Sequence, residues 1–111
     1  MQMNQVFFRP EDTEWQDLGG GVSRQILGHD DRLMQVKVKF EENATGSLHR
    51  HAHSQTTYVA EGAFEVTIGR EKAVLRRGDS FFVPSNQMHG VVCLEAGVLI
   101  DCFSPAREDF L

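Results

Sequence analysis

From residue 33 onward the chain alternates apolar and polar positions with a period of two, the signature of half-buried strands. In "LMQVKVKFE", Met34, Val36, Val38 and Phe40 face one way, and Gln35, Lys37, Lys39 and Glu41 the other. "AFEVTIG" repeats the pattern with Phe64, Val66 and Ile68 against Glu65 and Thr67. Further β-rich runs are "KAVLRRG", "DSFFVP", "HGVVCLE" and "GVLIDCF". Turn signals separate them: "ENATG", "EGA", "IGREK", "RRGD", "PSNQ" and "EAG". Such short, even spacing predicts an all-β barrel or sandwich. Only "RPEDTEWQDLGGG" suggests a helix, of one or two turns, started by Asp12 or Thr13 and stopped by the glycines.

A length of 111 residues fits one domain. We place an N-terminal arm at about 1–20, the barrel at about 21–104 and a short C-terminal tail after it. The net charge of −5 argues against a nucleic-acid partner, since phosphate neutralisation needs clustered Lys and Arg, and Arg76–Arg77 is the only arginine pair. Cys93 and Cys102 lie in apolar runs and read as buried free thiols. The start of the chain lacks a basic stretch followed by an apolar one, and no apolar run approaches the ~20 residues of a membrane helix. The cytoplasm is the expected location, with no membrane partner.

The segment "LHRHAHSQTTYVAEG" (48–62) places three of the five histidines at alternate positions. If 49–53 is extended, His49, His51 and His53 project from one face and can converge on a cation. A polar, histidine-rich loop without metal explains an isolated H-x-H equally well. Gln55 follows His51 by four positions and Gly62 follows Gln55 by seven. In "GDSFFVPSNQMHG", Pro84 follows Gly78 by six and His89 follows Pro84 by five.

Together these two segments resemble the paired motifs of the cupin family. The resemblance implies a small jelly-roll β-barrel and a divalent metal (Zn, Ni, Mn, Fe or Co). Its ligand positions fall on His49, His51, Gln55 and His89. His53 has no place in that pattern and is expected at the pocket rim or beside the ligands. The family's usual carboxylate ligand is here a neutral amide, Gln55. Three neutral imidazoles and an amide leave the ion its full double charge, which favours Lewis-acid chemistry.

Near the C-terminus, Leu99, Asp101 and Phe103 share one face of a predicted strand, with Val98, Ile100 and Cys102 on the other. An acid in an apolar strand is costly to bury unless paired or functional. Arg107 either ties to Asp101 and fastens the tail, or both serve the barrel mouth. In the second case Asp101 is a general acid/base, Arg107 a bidentate carboxylate clamp and Phe103 an apolar wall.

The stretches "DLGGGVSRQIL", "LHRHAHSQTTYVAEG", "MHGVVCLEAGVL" and "DCFSPAREDFL" are similar to the single-domain cupins of pectin and alginate degradation, the KdgF type. That likeness implies a sugar-acid substrate: a 4,5-unsaturated uronate monosaccharide opened to a linear ketonised sugar. It also carries catalytic and substrate roles onto Asp101, Phe103 and Arg107. The alternatives are a metal-dependent dioxygenase and a non-catalytic sugar-binding module. A homodimer is expected from the uncovered sheet edges of a small barrel, with "QVFF" at 5–8 supplying an edge strand.

Overall fold

The structure is a computed structural model and describes residues 5–111. Eight strands follow a single 3₁₀ turn at Pro10–Asp12. They are β1 (Gln16–Gly19), β2 (Val22–His29), β3 (Met34–Phe40), β4 (Thr45–His49), β5 (Ser54–Ile68), β6 (Glu71–Arg76), β7 (Ser80–Val83) and β8 (His89–Ser104). A second 3₁₀ turn, Glu108–Phe110, closes the tail. The chain is all-β with the expected jelly-roll arrangement, and its hydrogen-bonded path, β1-β2-β3-β8-β5-β6 with β4 on β8 and β7 on β5, stays open.

β5 and β8 run 15 and 16 residues and serve both layers. The first half of β5 lies between β7 and the second half of β8, which continues to β3, β2 and β1. The second half of β5 lies between β6 and the first half of β8, which carries β4. The two layers therefore share their central strands, and the bends fall at residues 61–64 and 95–98, where the β5–β8 register slips.

Those bends correct the sequence reading. "EGA" and "EAG" are irregularities inside continuous strands, not turns between shorter ones. Gly62 has φ +79°, and a Cβ built there would sit 2.5 Å from the carbonyl oxygen of Glu95. A Cβ on Gly97 would collide with the carbonyl of Glu61. Each glycine lets the other strand's backbone pass at the crossing.

Two other expectations change. The 3₁₀ turn begins at Pro10, ahead of Asp12 and Thr13, and no helix follows. The glycines of "DLGGG" turn the β1–β2 hairpin, so the sheet starts at Gln16. Residues 5–8 form no edge strand. The segment that follows them lies against β2, where the fully buried Gln25 donates its Nε2–H to the carbonyl of Thr13 at 2.9 Å.

The core follows the alternation. Phe40, Val59, Phe64, Val66, Cys93 and Leu99 form one cluster, with Phe40 and Phe64 packed edge to face at 5.2 Å between centroids. Truncating Phe64 to Ala should cost about 3–5 kcal/mol. A second cluster, Met34, Val36, Phe103 and Ala106, underlies the tail. Both cysteines are free. Among the described residues, no helix is long and apolar enough to cross a membrane.

Candidate functional site

Inward-facing residues of β2, β3, β5 and β8 continue from the core into a cavity of about 330 Å³. Register sets its lining and the core behind it: Gln55 pairs with Phe103, Thr57 with Asp101 and Val59 with Leu99 across β5 and β8, and Thr57 and Val59 are buried behind the lining. Period two puts all six side chains on the inner face.

His49 ends β4 and pairs across the sheet with His89, which opens β8; their rings lie 4.4 Å apart. His51 belongs to the connection between β4 and β5, so 49–53 is not one extended strand as the sequence suggested. The connection is bent and held to the β7–β8 loop: Asn86 N–H donates to the His51 carbonyl at 2.7 Å, and Ser85 Oγ–H to the Ala52 carbonyl at 2.6 Å. This returns His51 to the pair, 4.8 Å from the His89 ring. The available ring nitrogens of His49, His51 and His89 lie within 4.8 Å of one another. His53 is outside that group: its ring lies 5.5 Å from that of His51, in a cleft that the two share with Arg50 and the tail.

The three rings share one tautomer. His49 Nδ1 lies 2.7 Å from the Ser47 carbonyl, His51 Nδ1 2.9 Å from that of His53, and His89 Nδ1 2.9 Å from that of Gln87. A carbonyl only accepts, so each Nδ1 carries the proton and each Nε2 presents a lone pair. Burial, reinforced by Arg107, lowers the His51 pKa. Burial likewise brings His89 to about 4. Both are neutral at pH 7.

Gln55 completes the cluster. Its Nε2 donates to Thr57 Oγ1 at 2.9 Å and faces Asp101 Oδ1 at 3.4 Å, which turns Oε1 toward His51 Nε2 at 3.0 Å. With the His51 proton on Nδ1, two lone-pair-bearing atoms face each other, an arrangement that a cation bound by both would make favourable. His89 Nε2 is buried and has no partner among the described residues. An orphaned imidazole nitrogen and two apposed acceptors fit a divalent metal held by His49, His51, His89 and Gln55.

Asp101 accepts the Thr57 Oγ1–H at 2.6 Å. Desolvation pushes its pKa up to about 6, against the lowering effects of Thr57 and Arg107. Arg107 lines the same cavity but does not pair with Asp101. Its Nε and Nη2 donate to Asp109 Oδ1 and Oδ2 at 3.0 and 2.8 Å. This overturns the tail-fastening Asp101–Arg107 tie: the tail turns at Glu108–Phe110 and offers Arg107 a carboxylate two residues away. Phe103 is buried, edge-on to His51 and to Phe110, each at 5.7 Å.

The sequence reading missed Arg24, Thr57 and Phe110. Arg24 lines the cavity with its Cζ 3.9 Å above the Phe110 ring, and Arg107 approaches the same ring at 4.3 Å. Burial and the Arg107 charge lower the Arg24 pKa. The signal was present: Val22, Arg24 and Ile26 alternate as an inner face, and Thr57 follows Gln55 by two.

The sequence pattern of the Cupin domain matches residues 36–101. The pectin degradation protein KdgF of Dickeya dadantii (strain 3937) is 50% identical over 107 residues, spanning 95% of this chain and 97% of that protein. The crystal structure of an RmlC-like cupin from Shewanella frigidimarina NCIMB 400 superposes with a TM-score of 0.95 at 51% identity, covering 100% of both chains. KdgF from Halomonas sp. gives 0.93 at 44% identity, over 97% of this chain and 100% of that one.

Proposed function

Given that the chain belongs to the cupin family, we propose that it is a metal-dependent enzyme of pectin or alginate breakdown that opens 4,5-unsaturated uronate monosaccharides to linear ketonised sugars. The likeness to two KdgF proteins supports the pathway. The observation that carries the reading is the meeting of the histidine–glutamine cluster with Asp101, Arg107 and Arg24 in one cavity.

The substrate is a cyclic hemiacetal whose ring oxygen belongs to an enol ether conjugated to a carboxylate. Opening it removes the proton of the anomeric hydroxyl, forms the aldehyde and breaks the bond between C1 and the ring oxygen. The released enolate then gains a proton at C4 and becomes a ketone. Atoms balance without water or redox change. A divalent ion at the cluster supplies Lewis-acid polarisation of substrate oxygens.

The chain's own groups do the rest. Asp101 takes and returns protons; a carboxyl near 6 can do both close to neutrality. Its Oδ1 is committed to Thr57 and Gln55, which leaves Oδ2 to exchange with substrate. Arg107 spends Nε and one Nη2 hydrogen on Asp109, so its Nη1–Nη2 edge is the one that receives the sugar carboxylate. Arg24 adds a second positive charge, and Phe103 walls the pocket from water.

Incubation with unsaturated galacturonate, followed by proton NMR, tests the reading. The vinylic C4–H signal should vanish faster with metal-replete protein than without, and chelation should stop the gain. Decay at the uncatalysed rate in metal-replete protein would overturn it.

A further inference from the structure

We propose that Thr57 is a positioning residue whose single hydroxyl fixes both the Gln55 amide and the Asp101 carboxyl. The proposal rests on the reading that Gln55 helps hold a metal and that Asp101 moves protons. Thr57 is 1% exposed and lies directly across from Asp101 in the β5–β8 register. Its one proton goes to Asp101 Oδ1 at 2.6 Å. Its oxygen must then accept, and it accepts from Gln55 Nε2 at 2.9 Å.

The consequence lies at the other end of the amide. Turned over, Gln55 would set Oε1 against two oxygens, Thr57 Oγ1 and Asp101 Oδ1, with no free proton between them. The same turn would give its NH₂ a good hydrogen bond to the bare Nε2 of His51, now 3.0 Å from Oε1. That bond would cap the histidine lone pair and withdraw the amide oxygen from the cluster. Thr57 thus decides between a metal-ready and a self-capped arrangement of the same residues. Through the same hydroxyl it keeps Asp101 Oδ1 turned from the cavity.

Thr57→Val keeps the shape and removes the oxygen. We expect about 10–100-fold weaker metal binding by chelator competition, with a fall in kcat beyond that explained by metal occupancy. Thr57→Ser should restore both, and Thr57→Cys, a weak hydrogen-bonding partner of similar size, should not. If the valine variant does not fold, the Ser and Cys variants, which differ by one atom, make the same comparison. A Gln55→Glu background gives the decisive control, since a carboxylate has no wrong end. There Thr57→Val should cost far less metal affinity. Equal losses in both backgrounds, or wild-type affinity in folded Thr57→Val, overturn the proposal. Wild-type protein that binds metal but leaves the sugar untouched sinks the enzymatic reading, while the metal titrations still judge Thr57.

Discussion

Asp109 grips Arg107 side-on, through Nε at 3.0 Å and Nη2 at 2.8 Å, while Arg107 lies over the rings of Phe103 and Phe110. Asp109 itself is 58% exposed, so the bond contributes little to stability, at most about 1 kcal/mol. Its value is directional: it leaves one planar edge of the guanidinium facing the cavity. Asp109→Ala should therefore raise KM several-fold with only a small change in melting temperature. Hydrogen bonding to Arg107 holds the Asp109 pKa below the usual carboxylate range. Its small stabilisation is then present above that range and lost as pH falls through it. An unchanged KM would show that Arg107 does not read the substrate carboxylate from this edge.

Arg24 should act on affinity more than on turnover. It stacks on Phe110 and is tied to Gln16 Oε1 at 2.8 Å, and it makes no hydrogen bond to Asp101. Arg24→Met keeps the stem and loses the charge, so kcat/KM should drop about tenfold or more through KM. Initial rates over a range of sugar concentrations separate the two constants. A pure kcat defect would place Arg24 in the chemistry instead.

The histidines should divide sharply. His51→Ala removes an Nε2 directed at Gln55 and the cluster, whereas the His53 ring nitrogens are not among those that converge with His49 and His89. Metal stoichiometry after dialysis should therefore fall strongly in His51→Ala and stay near wild type in His53→Ala. His53 does lend its backbone carbonyl to His51 Nδ1, a role the alanine variant preserves. The reverse ranking would redraw the ligand set.

Acid should loosen the metal-free protein through His89. Its folded pKa, about 4, lies below the ordinary 6.5 because the ring is buried. The unfolded chain then binds the extra proton first, so stability falls as pH drops from 6.5 toward 4 and levels off below that. The loss attributable to this ring is at most about 3 kcal/mol. Asp101 moves stability the opposite way over nearly the same pH range. The loss is therefore read as the difference between wild type and His89→Gln in denaturant melts of chelated protein at pH 7, 5.5 and 4. That difference should change steadily as pH falls, to the disadvantage of wild type. A difference between the two proteins that does not vary with pH would refute the assignment.

How much of this was legible in the chain depends on distance along it. Met34–Phe40 is a local pattern and appears as β3, and the ring nitrogens of His49, His51 and His89 lie within 4.8 Å of one another. The continuity of β5 and β8 was hidden because glycine marks a bulge and a turn with the same letter. Arg24 and Thr57 were hidden because their chemistry depends on register: Arg24 faces the cavity opposite Val38, and Thr57 faces Asp101. The partner of Arg107 depends on a tail turn, where an acid two residues on is closer than one six residues back.

Asp101 offers the sharpest test, because function and stability should move in opposite directions. Asp101→Asn keeps an oxygen for the Thr57 hydroxyl and removes the titratable proton. Ring opening should fall about 10²-fold or more, with metal content near wild type. Stability follows from the raised pKa. An acid at about 6 in the fold, against an ordinary 3.8, favours folding at low pH, and that advantage is lost as pH rises through 6. Above pH 6 the ionised carboxylate burdens the metal-free fold by at most about 3 kcal/mol. The amide escapes that burden, so chelated Asp101→Asn should melt higher than wild type at pH 7.5 and no higher at pH 4. A residue kept only for structure would give the opposite pattern: a lower melting temperature with specific activity intact. Melts and vinylic-signal decay on the same preparations distinguish the two. Full ring opening by Asp101→Asn would end the case for Asp101 as the proton carrier.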